Sequence, residues 1–460
     1  MNSETQSFVP ATRQAESKEL TVDEVRESLS TTEKGQPANT IGNCRTVFCQ
    51  DPLLRGAIRL NLLTDRVDIA RDLGWRRSTS ALTDTDVKYL LLYFEQNYGL
   101  TSEKKLMAAL SIVANENCYH PIQDVLNSLI WDGIPRICSC LHHFLGADES
   151  DYVEEMLKHF LLGAIRRVFH PGSKYEELLC LVGGQGAEKS TFFRFLAIQD
   201  EWFSDDLKKL DDKVFAKLQG HWIIEMPEML ATSSAKSIEE IRAFVSRQKE
   251  TYRTPYETQP KDRLRQCVFG GSSNTLDFLP LDRAGNRRFL PVMIYPEKAE
   301  VHILENETAS REYLLQVWAE AMTIYHSGEY SMKFSKEIQK QLVEVQKGFM
   351  PEDTEAGQIQ FFWSTTPAYM VCSKQPFKEA LGHAFEEPKR WQLHNINEIM
   401  NTVVVGWKPF SNPRMFAGYG RQRGWERESS GNELPDNEGG FVELSEEEVR
   451  QLELPKEWIA

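Results

Sequence analysis

The run LVGGQGAEKSTFFRFL, residues 181–196, constrains this 460-residue chain more than any other stretch. The preceding ELLC and its own LV fit a buried strand, STFFRFL fits a helix start, and glycines lie between. A strand that turns sharply into a helix leaves the first helical N–H groups unpaired, and they attract anions. Gly183, Lys189 and Ser190 fall at the spacing of the phosphate loop G-x-x-x-x-G-K-[ST], with Gly186 inside it. The backbone of Gly183, Gly184, Gln185 and Gly186 would cradle phosphate oxygens. Lys189 would reach the outer phosphates, Ser190 would hold Mg²⁺, and Thr191 follows in the first helical turn. Glu188 stands where the second glycine belongs. A carboxylate facing the ligand repels a triphosphate, and glycine tolerates backbone angles that glutamate does not. Taken by itself, the loop also reads as a glycine-rich turn without catalytic consequence.

The segments that follow argue for more. GHWIIEMPEML puts an apolar strand before Glu225, with Glu228 three residues on. A carboxylate at such a strand end can hold a metal, and a second can orient the attacking water. Either glutamate suits the water role, and surface glutamates after strands are common. QCVFGGSSN ends a third strand at Asn274, a side chain for the γ-phosphate or for capping a turn. AGNRRFLPV presents Arg287 and Arg288, either solvated or placed on phosphates, where the guanidinium fork fits. Phosphate loop, acidic strand end, Asn strand end and Arg pair follow one another between residues 183 and 288, the order expected of ring-forming ATPases. The expectation is a protein that binds and hydrolyses ATP with Mg²⁺.

The surrounding texture fixes the rest. Residues 175–295 alternate short apolar runs with helical segments, which argues for an α/β sheet covered by helices. Residues 1–40 are poor in large apolar groups and read as disordered. Residues 41–170 read as a helical N-terminal domain, 171–300 as the ATPase core and 301–350 as a helical lid or linker. Residues 351–427 read as a small winged-helix-like unit, and 428–460 as an acidic tail. The net charge of −15 excludes a chain that is basic throughout, so nucleic acid would have to meet local patches. The eight cysteines are scattered, and Cys138-Ser-Cys140 lacks zinc-ligand spacing; free thiols suit a reducing cytoplasm. No apolar run approaches 18 residues, so no membrane partner is expected. The histidines form no metal-binding pattern.

The runs LLCLVGGQGAEKSTFFRFL, LQGHWIIEMPEML, IRAFVSRQKETYRTPYE and CVFGGSSNTLDFLPLDRAGNRRFLPV together resemble the virulence-associated E (VapE) family of phages and bacterial mobile elements. SLIWDGIPR, AIRRVFHPGSKYEELL and GYGRQRGWER extend the resemblance. It implies an AAA+-like P-loop ATPase related to superfamily 3 helicases, assembled as a ring, with six subunits the expected count, in the cytoplasm of a bacterial host. By that resemblance Lys189 and Ser190 are the Walker A lysine and hydroxyl, Glu225 the Walker B acid and Asn274 the sensor. Arg287 and Arg288 supply a finger to a neighbouring subunit. Lys249 and Arg253 match the segment that carries a DNA-contacting hairpin.

Two basic aromatic stretches are candidate DNA contacts. SRQKETYRTPYETQPKDRLRQ carries Arg247, Lys249, Arg253, Lys261, Arg263 and Arg265, interleaved with Tyr252 and Tyr256. RMFAGYGRQRGWER carries Arg414, Arg421, Arg423 and Arg427 among Phe416, Tyr419 and Trp425. Cations bind backbone phosphates and rings stack on unpaired bases. The reading is a replicative DNA helicase that translocates on single-stranded DNA, with double-stranded DNA and a host replication protein as further partners. The alternative is a non-hydrolysing DNA- or protein-binding regulator that keeps the fold while Glu188 blocks turnover.

Overall fold

The computed structural model describes residues 20–207, 217–227, 235–252, 261–279, 281 and 286–428; of 235–239 and 252 only the backbone is described. It divides into two units, Met1–Pro351 and Glu352–Ala460. Glu228, Arg253 and Tyr256 lie outside the described residues, as do residues 429–460 of the acidic tail.

The described part of the 1–40 segment does not fit the disordered reading. Helix Val22–Glu27 starts with a capping box between Thr21 and Glu24, which satisfies two N–H groups reciprocally. Its Val25, with Leu29, is buried against helices Ile41–Gln50, Asp84–Tyr98 and Glu103–Glu116. Few large apolar residues suffice here because a preformed helical face receives them. Thr83 caps the helix Asp84–Tyr98, and Gly99 ends it at φ 66°, a left-handed angle that glycine takes without strain. This helical region also holds a hairpin, β1 (Ile58–Asn61) with β2 (Arg66–Ile69).

A second core begins near Ile122 and includes helix Asp151–Phe169. Next come β3 (Leu178–Val182), helix Lys189–Leu196, β4 (Phe203–Ser204), β5 (Ile223–Met226) and helix Ala235–Val245. A second hairpin, β6 (Lys249–Tyr252) with β7 (Lys261–Leu264), precedes β8 (Val268–Ser273) and β9 (Phe289–Met293). The main sheet is parallel in the order β4-β5-β8-β3-β9. β3 and β8 are buried along their whole length, which is why they read as unbroken runs of apolar and small residues. Ligands of open α/β sheets bind beyond the carboxyl ends of such strands. With β3 between β8 and β9, the glycine-rich turn emerges in mid-sheet, beside the ends of β8 and β5. Helix Glu307–Ser327 packs on the same core through Leu314, Val317 and Trp318, whose indole N–H donates to Leu196 O at 2.8 Å.

Gly270 on β8 sets how closely the loop's helix approaches the sheet. A Cβ there would lie 2.5 Å from two ring atoms of Phe193, a fully buried side chain of helix Lys189–Leu196. Gly270→Ala is expected to destabilise the protein by roughly 1–3 kcal/mol through overpacking. A thermal melt beside the wild type checks it; an unchanged melting temperature would mean that the ring moves freely.

The second unit runs helix Thr354–Thr365, β10 (Met370–Cys372), a turn of π-helix at Pro376–Ala380, helix Arg390–Thr402, β11 (Trp407–Phe416) and β12 (Gly420–Arg427). Its strands pair antiparallel in the order β10-β12-β11. Ile359, Trp363, Phe377, Ile399, Trp407 and Trp425 form its core. Among the described residues, no helix is long and apolar enough to cross a membrane.

Candidate functional site

The turn after β3 folds around one amino group. Lys189, only 8% exposed, donates from Nζ to Gly183 O at 2.8 Å, Gly184 O at 2.8 Å and Asn274 Oδ1 at 2.9 Å. A buried ammonium needs such partners, since its desolvation is otherwise uncompensated. The lysine of the loop thereby meets Asn274 at the end of β8, 85 residues away in sequence. Gly186 takes φ 79°, and a Cβ on Gly183 would lie 2.5 Å from Ile294 Cγ1, so both glycines are required by geometry.

Glu188 takes φ 53° and ψ 28°, the left-handed conformation that the sequence pattern fills with glycine. An L side chain there costs roughly 1–2 kcal/mol. Its carboxylate accepts the Thr191 hydroxyl at 2.6 Å. The contact turns part of the carboxylate toward the first helical turn, so the substitution is accommodated with local strain.

Glu225 is fully buried at the carboxyl end of β5. Its Oε1 accepts from Ser190 Oγ at 2.8 Å and from Ser272 Oγ at 2.5 Å. Burial pushes its pKa up; the hydroxyls of Ser272 and Ser190 pull the other way without cancelling it. Its second oxygen, Oε2, is buried and accepts no hydrogen bond from the described residues. A buried carboxylate oxygen without such a partner, next to a serine hydroxyl, suits a hard divalent cation. Mg²⁺ takes one or two protein oxygens and completes its shell with water and phosphate. No group of three His, Cys, Asp or Glu side chains is placed to hold a metal among the described residues. The residues present therefore fit Mg²⁺ brought in with a phosphate ligand. Ser272 is a site residue that the sequence reading missed; the signal was a small hydroxyl residue two positions before Asn274.

The 186–191 loop, Pro227, Ser272 and Asn274 line a cavity of about 260 Å³, and Glu225 lies behind its wall, bonded to Ser190 and Ser272. Its chemistry is that of an anion cradle: a helix N-terminus, an ammonium, and serine hydroxyls backed by a buried carboxylate. Gly184 and Gln185 are exposed in the same turn.

Arg287 and Arg288 stand apart from this cavity's lining. Both reach Glu176, at 3.2 Å from Oε1 and 3.2 Å from Oε2 respectively, and Arg288 Nε also donates to Ser246 Oγ at 3.1 Å. The two differ in exposure, 69% for the Arg287 side chain against 20% for Arg288. Only Arg287 is open enough to leave its carboxylate for another molecule.

The candidate DNA contacts divide. Lys249 pairs with Asp262 at 2.5 Å on the exposed β6–β7 hairpin, and of Tyr252 only the backbone is described. Arg265 is buried, bonded to Glu250 and to Phe244 O, and serves the hairpin's base rather than a ligand. Arg421 and Arg423 are exposed on β12. Trp425 corrects the sequence expectation. It is 4% exposed, with its N–H donated to Asn401 Oδ1 at 2.8 Å, so its ring fills the second unit's core and cannot stack on a base. A spacing of two puts Arg421, Arg423 and Trp425 on one face of β12; that face is exposed at the two arginines and covered by the unit's core at Trp425, opposite Val371 of β10.

Residues 126–351, just under half of the chain, match the family model of the virulence-associated protein E-like domain. Among solved structures, the chain is similar to the apo structure of the NrS-1 C-terminal region (305–718), with a TM-score of 0.43 and 12% identity over 80% of this chain and 95% of that one. The A-form apo structure of the same region gives a TM-score of 0.41 and 13% identity, over 80% and 95%. A comparison with curated proteins gave no match.

Proposed function

We propose that this chain is a DNA-dependent ATPase of the replication apparatus of a phage or mobile element, acting as a helicase that moves on single-stranded DNA. One observation carries the reading. Lys189 with Asn274, and Ser190 backed by the buried Glu225, meet at one cavity at the carboxyl ends of three parallel strands, with Lys189, Ser190 and Asn274 in its lining. The match of residues 126–351 to the virulence-associated E-like domain supports it. So does the second unit's helix, strand, turn, helix and hairpin order, which suits a winged-helix-like DNA module.

When bound, Mg²⁺ would neutralise charge on the β- and γ-phosphates. Ser190 and Glu225 Oε2 would hold it, and the loop N–H groups would bind the phosphate chain. Lys189 would exchange its two carbonyl partners for phosphate oxygens while Asn274 stays within reach of the γ-phosphate. Glu225 orients the attacking water in this scheme; Glu228 lies outside the described residues. Arg287, the exposed member of the pair, would complete a neighbour's site in a ring, six-membered by the resemblance. A host replication protein is a further proposed partner.

The decisive test is ATP turnover with and without single-stranded DNA, read by phosphate release, with particle size measured in the presence of an ATP analogue. DNA-stimulated turnover and analogue-driven assembly are expected. Well-folded protein that takes up no adenine nucleotide at millimolar magnesium would sink the reading.

Glu188 favours a second reading, a non-hydrolysing regulator, because its carboxylate is on a residue that lines the phosphate cavity. Glu188→Gly relieves the left-handed strain and removes the charge. It is expected to tighten MgATP binding several-fold, with the wild type already turning over. Turnover that appears only in Glu188→Gly would favour the regulator instead.

A further inference from the structure

The turn between β1 and β2 is held from several sides. Asn61 Oδ1 accepts the N–H groups of Leu63 at 3.0 Å and Thr64 at 3.2 Å. Asn61 Nδ2 donates to Asp68 Oδ2 at 2.9 Å, and that oxygen also takes the Tyr119 hydroxyl. From the ATPase side, Gln266 Nε2 donates to Leu62 O at 2.9 Å and Gln219 Nε2 donates to Thr64 O. The next residue, Asp65, sits in the left-handed region at φ 54°.

This turn carries the Asp65 carboxylate to strand β7. Lys261 Nζ lies 2.7 Å from Oδ1 and 2.9 Å from Oδ2, and an Arg263 terminal nitrogen lies 3.3 Å from Oδ2. Lys261 and Arg263 are two apart on one strand, so they share a face. Beside them is a cavity of about 440 Å³ whose lining includes Asp65, Lys261 and Arg263. The Lys261 side chain is 54% exposed, so its ion pair contributes little to stability, while the Arg263 side chain is 12% exposed; Asn61, Gln219 and Gln266 also hold the turn. The carboxylate is therefore one anchor of the turn among several. An oxyanion in the fork of a lysine and an arginine stands where a phosphodiester binds.

We propose that Lys261 and Arg263 form a backbone-phosphate site for single-stranded DNA, and that Asp65 fills it in the DNA-free protein as a built-in competitor. The proposal rests on the DNA-translocating reading above. Single-stranded DNA entering along β7 displaces the Asp65 carboxylate from the two cations, while Asn61, Gln219 and Gln266 keep the turn in place. A weakly held or short strand does not displace it, which sets a threshold for engagement.

Asp65→Asn tests this with little structural cost. It removes the charge, is nearly isosteric, and asparagine accepts left-handed angles readily. Binding of a fluorescein-labelled oligo(dT) to the full chain is followed by anisotropy at several salt concentrations. Asp65→Asn is expected to bind about three- to tenfold more tightly than the wild type, most clearly at low salt. Asp65→Gly, which accepts the same backbone angle, should show the same gain. The gain should vanish when Lys261→Ala and Arg263→Ala are added. Unchanged or weaker binding by Asp65→Asn of native melting temperature overturns the proposal. A gain that survives loss of both cations overturns it too, because it would reflect net charge only. Binding of oligo(dT) by neither protein removes the DNA reading itself and the proposal with it.

Discussion

Lys189→Ala is expected to lower ATP turnover by about 10²- to 10³-fold, the usual loss when a fixed electrostatic donor to a reacting oxygen is removed. The amino group is the one full positive charge among the described residues lining the 260 Å³ cavity. In the DNA-free protein it bridges Gly183 O, Gly184 O and Asn274 Oδ1, so it is poised where the outer phosphates would lie. Its removal acts twice. The phosphates lose a cation in a partly desolvated place, and Asn274 loses one of the groups that hold it. Stability should change less, because Gly184 is exposed and water can replace its bond, although the Gly183 carbonyl is buried and loses its partner. The measurement pairs phosphate release with a thermal melt and with uptake of a fluorescent ATP analogue. A variant with normal turnover would place the chemistry elsewhere. A variant that unfolds would show that the lysine is a structural strut, and Lys189→Met, which keeps the stem packing, would then separate the two roles.

How much of this was readable in the chain depends on how far apart the interacting residues lie. The glycine-rich turn, its strand and its helix follow from local patterning, and so do the caps Thr83 and Gly99. The meeting of Lys189, Ser190, Glu225 and Asn274 was legible because each ends or follows a strand, and parallel strands align their carboxyl ends. Cation pairing was not legible. Lys261 and Arg263 meet Asp65, Lys261 across 196 residues of sequence, and Arg265 meets Glu250 across a hairpin. A basic run shows charge but not which charges are already answered. Trp425 was misread for a related reason: an arginine-rich strand suggests a ligand face along its whole length, while at Trp425 the same face is covered by the unit's core. Helix Val22–Glu27 escaped notice because one short helix with one core residue, Val25, leaves almost no periodic signal.

Glu225→Gln is expected to separate binding from hydrolysis and to change how stability depends on pH. The amide can still accept the Ser190 and Ser272 hydroxyls through its oxygen, so the loop should keep its shape. What is lost is the charge that Oε2 would offer the metal. Nucleotide uptake should fall only modestly, while turnover should drop by about 10²- to 10³-fold. The stability argument has a definite sign. Burial raises the carboxyl pKa in the folded chain, so the native state holds a proton that the unfolded chain has already released. Folding stability then decreases as pH rises from the ordinary carboxylate value to the higher native one, and stays lower above it. The amide of the variant resembles the protonated acid and should lack this decline. Melting temperatures of the two proteins, taken without nucleotide or magnesium, should therefore diverge as pH rises, with the variant equal or higher at neutral pH. Adding magnesium and an ATP analogue at neutral pH should raise the wild-type melting temperature more than the variant's, because the charged carboxylate then gains a partner. A variant that hydrolyses ATP normally would mean that Glu225 is a buried structural acid held by two serines and nothing more, and a pH profile parallel to the wild type's would mean that folding leaves its carboxyl pKa unmoved.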